Sequence, residues 1–202
     1  MTARKPPQDF VLVHADESCL GNGRDGDNPG GAAALIEVRT PDGVARRDVH
    51  LSAPATTNNR MALAGAIATF ALLSGKGNRF RVSYVSDSEY LVKGMNEWVP
   101  AWMSRGWSRK GGKIENLELW QKLVQAVEGH AVVWRWVRGH AGHAKNEYAD
   151  HVATTAAKEQ THSRGAEPSH FEEWLAARRS RFADYDPDVD FDEAEAQHQK
   201  ER

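Results

Sequence analysis

The sequence predicts an α/β fold, a three-stranded antiparallel meander leading into alternating helices and strands. Three features of the 202 residues carry this reading. Phe10-Val-Leu-Val-His-Ala-Asp16 places Phe10 and Leu12 on one side of an extended chain and Val11, Val13 and Ala15 on the other. A strand apolar on both sides is covered above and below, so this one is central. Ala32–Arg39 and Val44–Leu51 flank Thr40-Pro-Asp-Gly43, a strong hairpin turn. A long apolar stretch follows, and then Phe80–Ser86, a second central strand.

The apolar stretch reads as a helix over about Arg60–Ser74, entered through Thr56-Thr-Asn-Asn59, a run of good helix caps. No charge occurs from Met61 through Gly75, so this helix is buried on most sides. Helical stretches are predicted over about Glu89–Asn96, Pro100–Arg105 and Leu117–Val127. Ala131–Arg138 reads as the fifth strand, with Trp134 and Trp136 on one face as core residues. Gly139-His-Ala-Gly-His143 is a flexible link into a last helix, about Ala144–Lys158. The order is β-β-β-α-β-α-α-α-β-α, and no internal repeat is present.

Residues 1–160 therefore form the main domain, and residues 161–202 an extension. Phe171–Phe182 could form a short amphipathic helix, and an acidic tail, expected to be disordered, follows it. From Ala183 to Arg202 there are eight acidic and two basic residues, which leaves the remainder of the chain mildly basic. That balance permits a polyanionic partner without requiring one. The single cysteine, Cys19, excludes an internal disulfide and fits a reducing, cytoplasmic setting. No apolar run approaches the roughly 20 residues of a membrane span. The polar stretch Met1–Asp9 leaves no room for a signal peptide. A monomer is expected.

Three aspartates stand in comparable places. Asp16 and Asp87 end two strands that should be neighbours, and Asp150 lies on a helix near the sheet. Open α/β sheets hold ligands at the carboxyl ends of their strands. Carboxylates gathered in one cleft repel one another unless a cation neutralises them, and Mg²⁺ suits oxygen ligands best. The plainer alternative is three unrelated surface aspartates.

Four segments in order now carry a resemblance. Asp16-Glu-Ser-Cys-Leu-Gly-Asn22, Thr56-Thr-Asn-Asn-Arg-Met61, Ser86-Asp-Ser-Glu-Tyr90 and Trp136-Val-Arg-Gly-His-Ala-Gly-His143 with Asn146, Glu147 and Asp150 resemble type 1 ribonuclease H over about Phe10–Ala157. The resemblance implies a ribonuclease H fold, a five-stranded mixed sheet (three antiparallel strands plus two parallel) flanked by helices. It implies cleavage of the RNA strand of RNA–DNA hybrids, leaving 5′-phosphate and 3′-hydroxyl ends. Asp16, Asp87 and Asp150 become ligands of two Mg²⁺ ions, with Mn²⁺ as a substitute, about 4 Å apart around the scissile phosphate. One ion would activate the attacking water and the other would stabilise the departing oxygen. His140 matches the family's mobile histidine, which helps move protons or release product.

The pattern breaks at one place. The family has a metal-binding glutamate directly after the Arg-Met of the helix start, where this chain has Ala62. Glu17 adjoins Asp16, and adjacent strand residues point to opposite faces, so it is not an obvious replacement. Glu89 is not one either. The expectation is a chain that binds hybrid but cleaves it poorly or not at all. The intact neighbouring motifs favour a deliberate inactivating substitution over a natural variant.

By the same resemblance Asn22, Asn58 and Asn59 face the minor groove, where 2′-hydroxyls are exposed, and Thr57 meets a DNA phosphate. Turn and cap formation would account for Thr57 and Asn58 as well. Asn28 is a weaker rival for Asn22. Trp98–Lys113 resembles the family's basic protrusion, with Trp102, Arg105, Trp107, Arg109 and Lys110 as contacts to the DNA strand. There the tryptophans pack the protrusion and flank sugars, while the cations meet phosphates. The acidic tail could bind a partner, compete with phosphate for this protrusion, or have no role.

Two other readings stay open: a hybrid-binding module that never cuts, and another nuclease of the same fold, such as an integrase or junction resolvase. The Thr-Thr-Asn-Asn-Arg and Gly-His-Ala-Gly-His segments argue against the latter.

Overall fold

A computed structural model describes residues 9–21 and 28–201. Its sheet contains the five expected strands and one short addition, in the order β5-β4-β1-β2-β3-β6. β1 (Asp9–Cys19), β2 (Gly30–Thr40) and β3 (Gly43–Ala53) form the antiparallel meander. β4 (Phe80–Ser86) lies parallel to β1, and β5 (Ala131–Trp136) parallel to β4. β6 (Glu167–Pro168) adds two residues to the outer edge of β3.

Helix α1 (Asn58–Leu73) covers one face of this sheet. Thr57 caps it, its hydroxyl accepting from the Arg60 amide at 3.3 Å. Val11, Val13 and Ala15 of β1 pack in one core with Ala62, Leu63, Ala66 and Phe70 of α1 and Tyr84 of β4. α4 (Leu117–Ala126) packs against α1 and adds Trp120 and Leu123. α2 (Glu89–Lys93) runs through a wider π-type turn at Gly94–Trp98 into α3 (Val99–Met103), so the two helices expected there are nearly continuous.

Helix α5 (Ala144–Glu159) crosses the other face of the sheet. Its inner side is built of Ala149, Ala153, Ala156 and Ala157, all buried. These small residues let it approach β2 so closely that a Cβ on Gly31 would lie 2.1 Å from the Ala153 carbonyl. α6 (Phe171–Ala176) brings Phe171, Trp174 and Leu175 into a second cluster with Leu35, Tyr148 and Phe182.

The acidic stretch expected as a disordered tail is a helix, α7 (Pro187–Lys200). Asp186 caps it, accepting from the amides of Asp188 (2.9 Å) and Val189 (3.3 Å). Phe191 is fully buried against Phe10, Leu12 and Val85, which form the rest of the second face. The acids meet cations from four strands of the sheet and one from α5. Asp188 pairs with Arg46 and Asp190 with Lys145, both at 2.6 Å. Glu195 pairs with Arg81 at 2.8 Å, Glu201 with Arg135 at 3.1 Å, and Asp192 with Arg39. Composition alone suggested a self-repelling segment, because those five cations lie far away in the chain. The acids therefore meet the sheet and not the basic protrusion.

Trp136 is a further correction. Trp134 is in the core, but Trp136 at the end of β5 is half exposed. Among the described residues no helix is long and apolar enough to cross a membrane.

Phe191→Ala should cost about 3–5 kcal/mol in urea unfolding, the range for emptying a buried aromatic site. A near-zero loss would show that α7 is not part of the core.

Candidate active site

β1 outlasts its neighbour. Its parallel pairing with β4 ends at Ala15–Ser86, whereas its pairing with β2 continues to Cys19–Gly30. Past Ser86 the sheet therefore has a gap on one side of β1, and the chain turns there into Asp87. Asp16 and Glu17 lie on β1 along this gap. Their side chains leave the strand on opposite faces. Asp16 lies on the α5 side, where the Asn146 amide donates to its Oδ2 at 3.1 Å. Glu17 continues the Val11, Val13, Ala15 side covered by α1.

With no strand beside them on the β4 side, the two faces meet around Asp87. One carboxylate oxygen from each of Asp16, Glu17 and Asp87 lies within 4.8 Å of the others. Among the described residues this is the only group of acidic, histidine or cysteine side chains close enough to share a metal ion. The expectation that Glu17 would point away is corrected here. Alternation of faces holds, but it separates side chains only where a neighbouring strand fills the space between the faces. The strand overhang was the missing signal.

Asp150 lies one turn beyond Asn146 on α5, and its charge acts on both Asp16 and Asp87. It does not belong to the tight group of three. Ala62 is buried near the start of α1, in the same core as Ala15, which precedes Glu17 by two on β1.

The electrostatics match the crowding. Burial, then the charges of Asp87, Glu17 and Asp150, push Asp16 up to about 9. Burial and the charge of Asp87 push Glu17 up to about 8. Asp87 is also raised, first by burial, and His140 opposes that shift. His140 thus stands close enough for its charge to act on Asp87. It is exposed and held at φ +52°, next to Gly139, where any Cβ would strike the Asp87 carboxylate at 2.2 Å. The Trp136 indole donates to the Asp87 carbonyl at 3.0 Å and fixes the backbone at that corner.

Thr57, Asn58 and Asn59 sit at the start of α1. The Asn58 Oδ1 is buried without a partner. Asn22 lies outside the described residues, and Asn28 is at the foot of β2. In the protrusion Arg105, Arg109, Lys110 and Lys113 are exposed. Trp98, Trp102 and Trp107 are half-buried against the core, with Trp102 6.0 Å from Trp98 and 5.8 Å from Trp120 between ring centres. The tryptophans thus support the protrusion, and its cations face outward.

The ribonuclease H family model matches residues 8–158, which include all these carboxylates. The chain belongs to the ribonuclease H family. Ribonuclease H of Stutzerimonas stutzeri is 41% identical over 146 residues, 72% of this chain and 89% of that one. Ribonuclease H of Methylococcus capsulatus is 40% identical over 144 residues, covering 71% and 86%. The crystal structure of LC9-RNase H1, described as a type 1 RNase H with the type 2 active-site motif, is similar at 59% identity and a TM-score of 0.81. That match covers 89% of this chain and 86% of LC9-RNase H1. It extends beyond the family model and so includes part of the C-terminal extension.

The raised Asp16 and Glu17 set the sign of a pH effect. Their folded forms hold protons that the unfolded chain has released, so the metal-free protein loses stability as pH rises from about 4 to 9. Asp16→Asn should flatten this slope and raise the melting temperature at pH 8 by about 2–4 °C per kcal/mol relieved. Thermal denaturation across that range checks it, and an unchanged slope would contradict the reading.

Proposed function

We propose that this ribonuclease H is an active hydrolase of the RNA strand of RNA–DNA hybrids, and that Glu17 supplies the carboxylate that Ala62 lacks. The convergence of Asp16, Glu17 and Asp87 carries this reading. A trio with Asp16 buried and Glu17 and Asp87 partly buried, all three held above the ordinary carboxylate range, fits hard divalent cations, Mg²⁺ first, with Asp150 as the outer fourth donor. When bound, such cations supply Lewis-acid activation of water and of the departing oxygen. The protein's own part is to hold four acids around the break in the sheet. Asn146 orients Asp16, and His140 stands ready to move a proton beside Asp87.

On this reading Ala62 is a natural feature of an alternative arrangement. A glutamate entering from α1 and one entering from β1 reach the same α1-covered side of the site. The 59%-identical relative, described as a type 1 RNase H with the type 2 active-site motif, supports a departure within the active-site motif. A non-cutting hybrid binder would have no use for a crowded acidic site that costs stability without metal.

Substrate binding follows the same geometry. Thr57, Asn58 and Asn59 line one side of the approach to the carboxylates. Arg105, Arg109, Lys110 and Lys113 give the protrusion a phosphate-binding edge, with Trp102 and Trp107 shaping its base.

Glu17→Gln should reduce hybrid cleavage in Mg²⁺ by about 100-fold or more, the scale for removing a charge that acts directly on the transition state. Hybrid binding in Ca²⁺ should persist. The unaltered protein should cleave, and Ala62→Glu should give it no gain. An inert protein that Ala62→Glu activates would refute the role of Glu17. Neutralising Arg109 and Lys110 together should lower the slope of log affinity against log salt by about 1–2 and weaken all hybrid sequences alike.

A further inference from the structure

The link between β5 and α5 carries His140, and its backbone is unusual. His140 at φ +52° and Gly142 at φ +89° are both left-handed. A side-chain-bearing residue in that region costs about 1–2 kcal/mol, so its surroundings must hold it there. The two ends of the link are tied by regular pairing. The Val137 amide donates to the Ser86 carbonyl at 3.1 Å, and the Glu147 amide donates to the His143 carbonyl at 2.9 Å. Between them the Gly142 amide donates to Glu147 Oε1 at 3.2 Å.

Glu147 is on the first turn of α5, where the helix dipole favours a negative charge. Its side chain is nevertheless only 9% exposed, and a buried carboxylate needs a cation or it turns toward water. The cation comes from outside the family domain. Arg181 Nη2 donates to the same Oε1 at 2.6 Å. Arg181 is itself placed by its neighbour Phe182, which is buried among Phe171, Trp174 and Leu175, and its guanidinium lies 5.4 Å from the Phe182 ring centre. One carboxylate oxygen therefore joins the C-terminal extension to the loop backbone at Gly142, two residues beyond His140.

We propose that Arg181 is a positioning residue for the active-site loop: through Glu147 it fixes the Gly142 amide, and with it the backbone that presents His140 to the carboxylates. The extension thus completes the active site instead of merely following the catalytic domain. The proposal rests on the ribonuclease H reading for the role of His140, but the mechanical link from Arg181 to the loop stands apart from that reading.

Three variants of the full chain test it: Arg181→Ala, Arg181→Lys and Glu147→Gln. The guanidinium is more than half exposed, so Arg181→Ala should fold, which urea unfolding checks. Arg181→Ala should speed amide hydrogen exchange across residues 139–143 by about 10-fold and leave β1 and β4 unchanged. It should lower kcat for hybrid cleavage roughly 5-fold with KM within about 2-fold, the scale of one partly buried charge-assisted bond. Arg181→Lys should recover most of both effects. Arg181→Ala combined with Glu147→Gln should be no worse than the more damaging single variant, because both cut one chain of contacts. Unchanged exchange at 139–143 in Arg181→Ala overturns the proposal, as does faster exchange with unaltered kcat. If the parent protein fails to cleave hybrid, the functional reading falls, and exchange still decides whether Arg181 holds the loop.

Discussion

Mutual repulsion among acids at one break in a sheet governs this molecule. β4 stops one residue before Asp87, while β1 runs on past Asp16 and Glu17. The empty place beside β1 lets the carboxylates of Asp16, Glu17 and Asp87 meet from opposite faces. Burial and shared charge raise Asp16 and Glu17 far above their ordinary values. A fold tolerates such a cluster only if the rest of the structure over-determines it. Here β1 is fixed by two strands, by the apolar core under α1 and by α5, whose close seat on Gly31 aims Asn146 at Asp16.

The second face of the sheet solves a related problem with the opposite sign. Arg39, Arg46, Arg81 and Lys145 meet acids of α7, and Arg135 meets Glu201 at its C-terminal end. Lys145 and Arg46 are buried and also share the buried Glu37 at 2.9 Å. Leaving these cations unpaired would be costly, since removing one partner of a buried pair destabilises by about 3–5 kcal/mol. Phe191 adds apolar burial to that electrostatic fit. The acidic composition of the extension is thus the complement of a basic sheet face, which explains why it folds at all.

The family domain and the extension meet at two levels. α7 closes the sheet behind the site, and Arg181 reaches the loop in front of it. The site's residues come from the ribonuclease H region, whereas part of what holds them comes from beyond it. A match of 89% of the chain to LC9-RNase H1, against a family model that ends at residue 158, agrees with an extension that is part of the working protein.

The sequence by itself determined the α/β class, the order of the first ten elements and the family, and it singled out Asp16, Asp87, Asp150 and His140 as candidates. Those features are local: alternation, caps, turns, and short motifs that stay together however the chain folds. It also read the tryptophans of the protrusion as packing residues, and Trp102 lies against Trp98 and Trp120. Only the tertiary structure decided the fate of Glu17, Trp136, α7 and Arg181. Glu17 depends on where a neighbouring strand ends, some 70 residues away, and Trp136 on where the core ends. α7 depends on cations spread across the sheet and on Lys145 of α5, and Arg181 on a helix turn that precedes it by 34 residues. Each is set by what lies opposite in space, and no local pattern of residues encodes that.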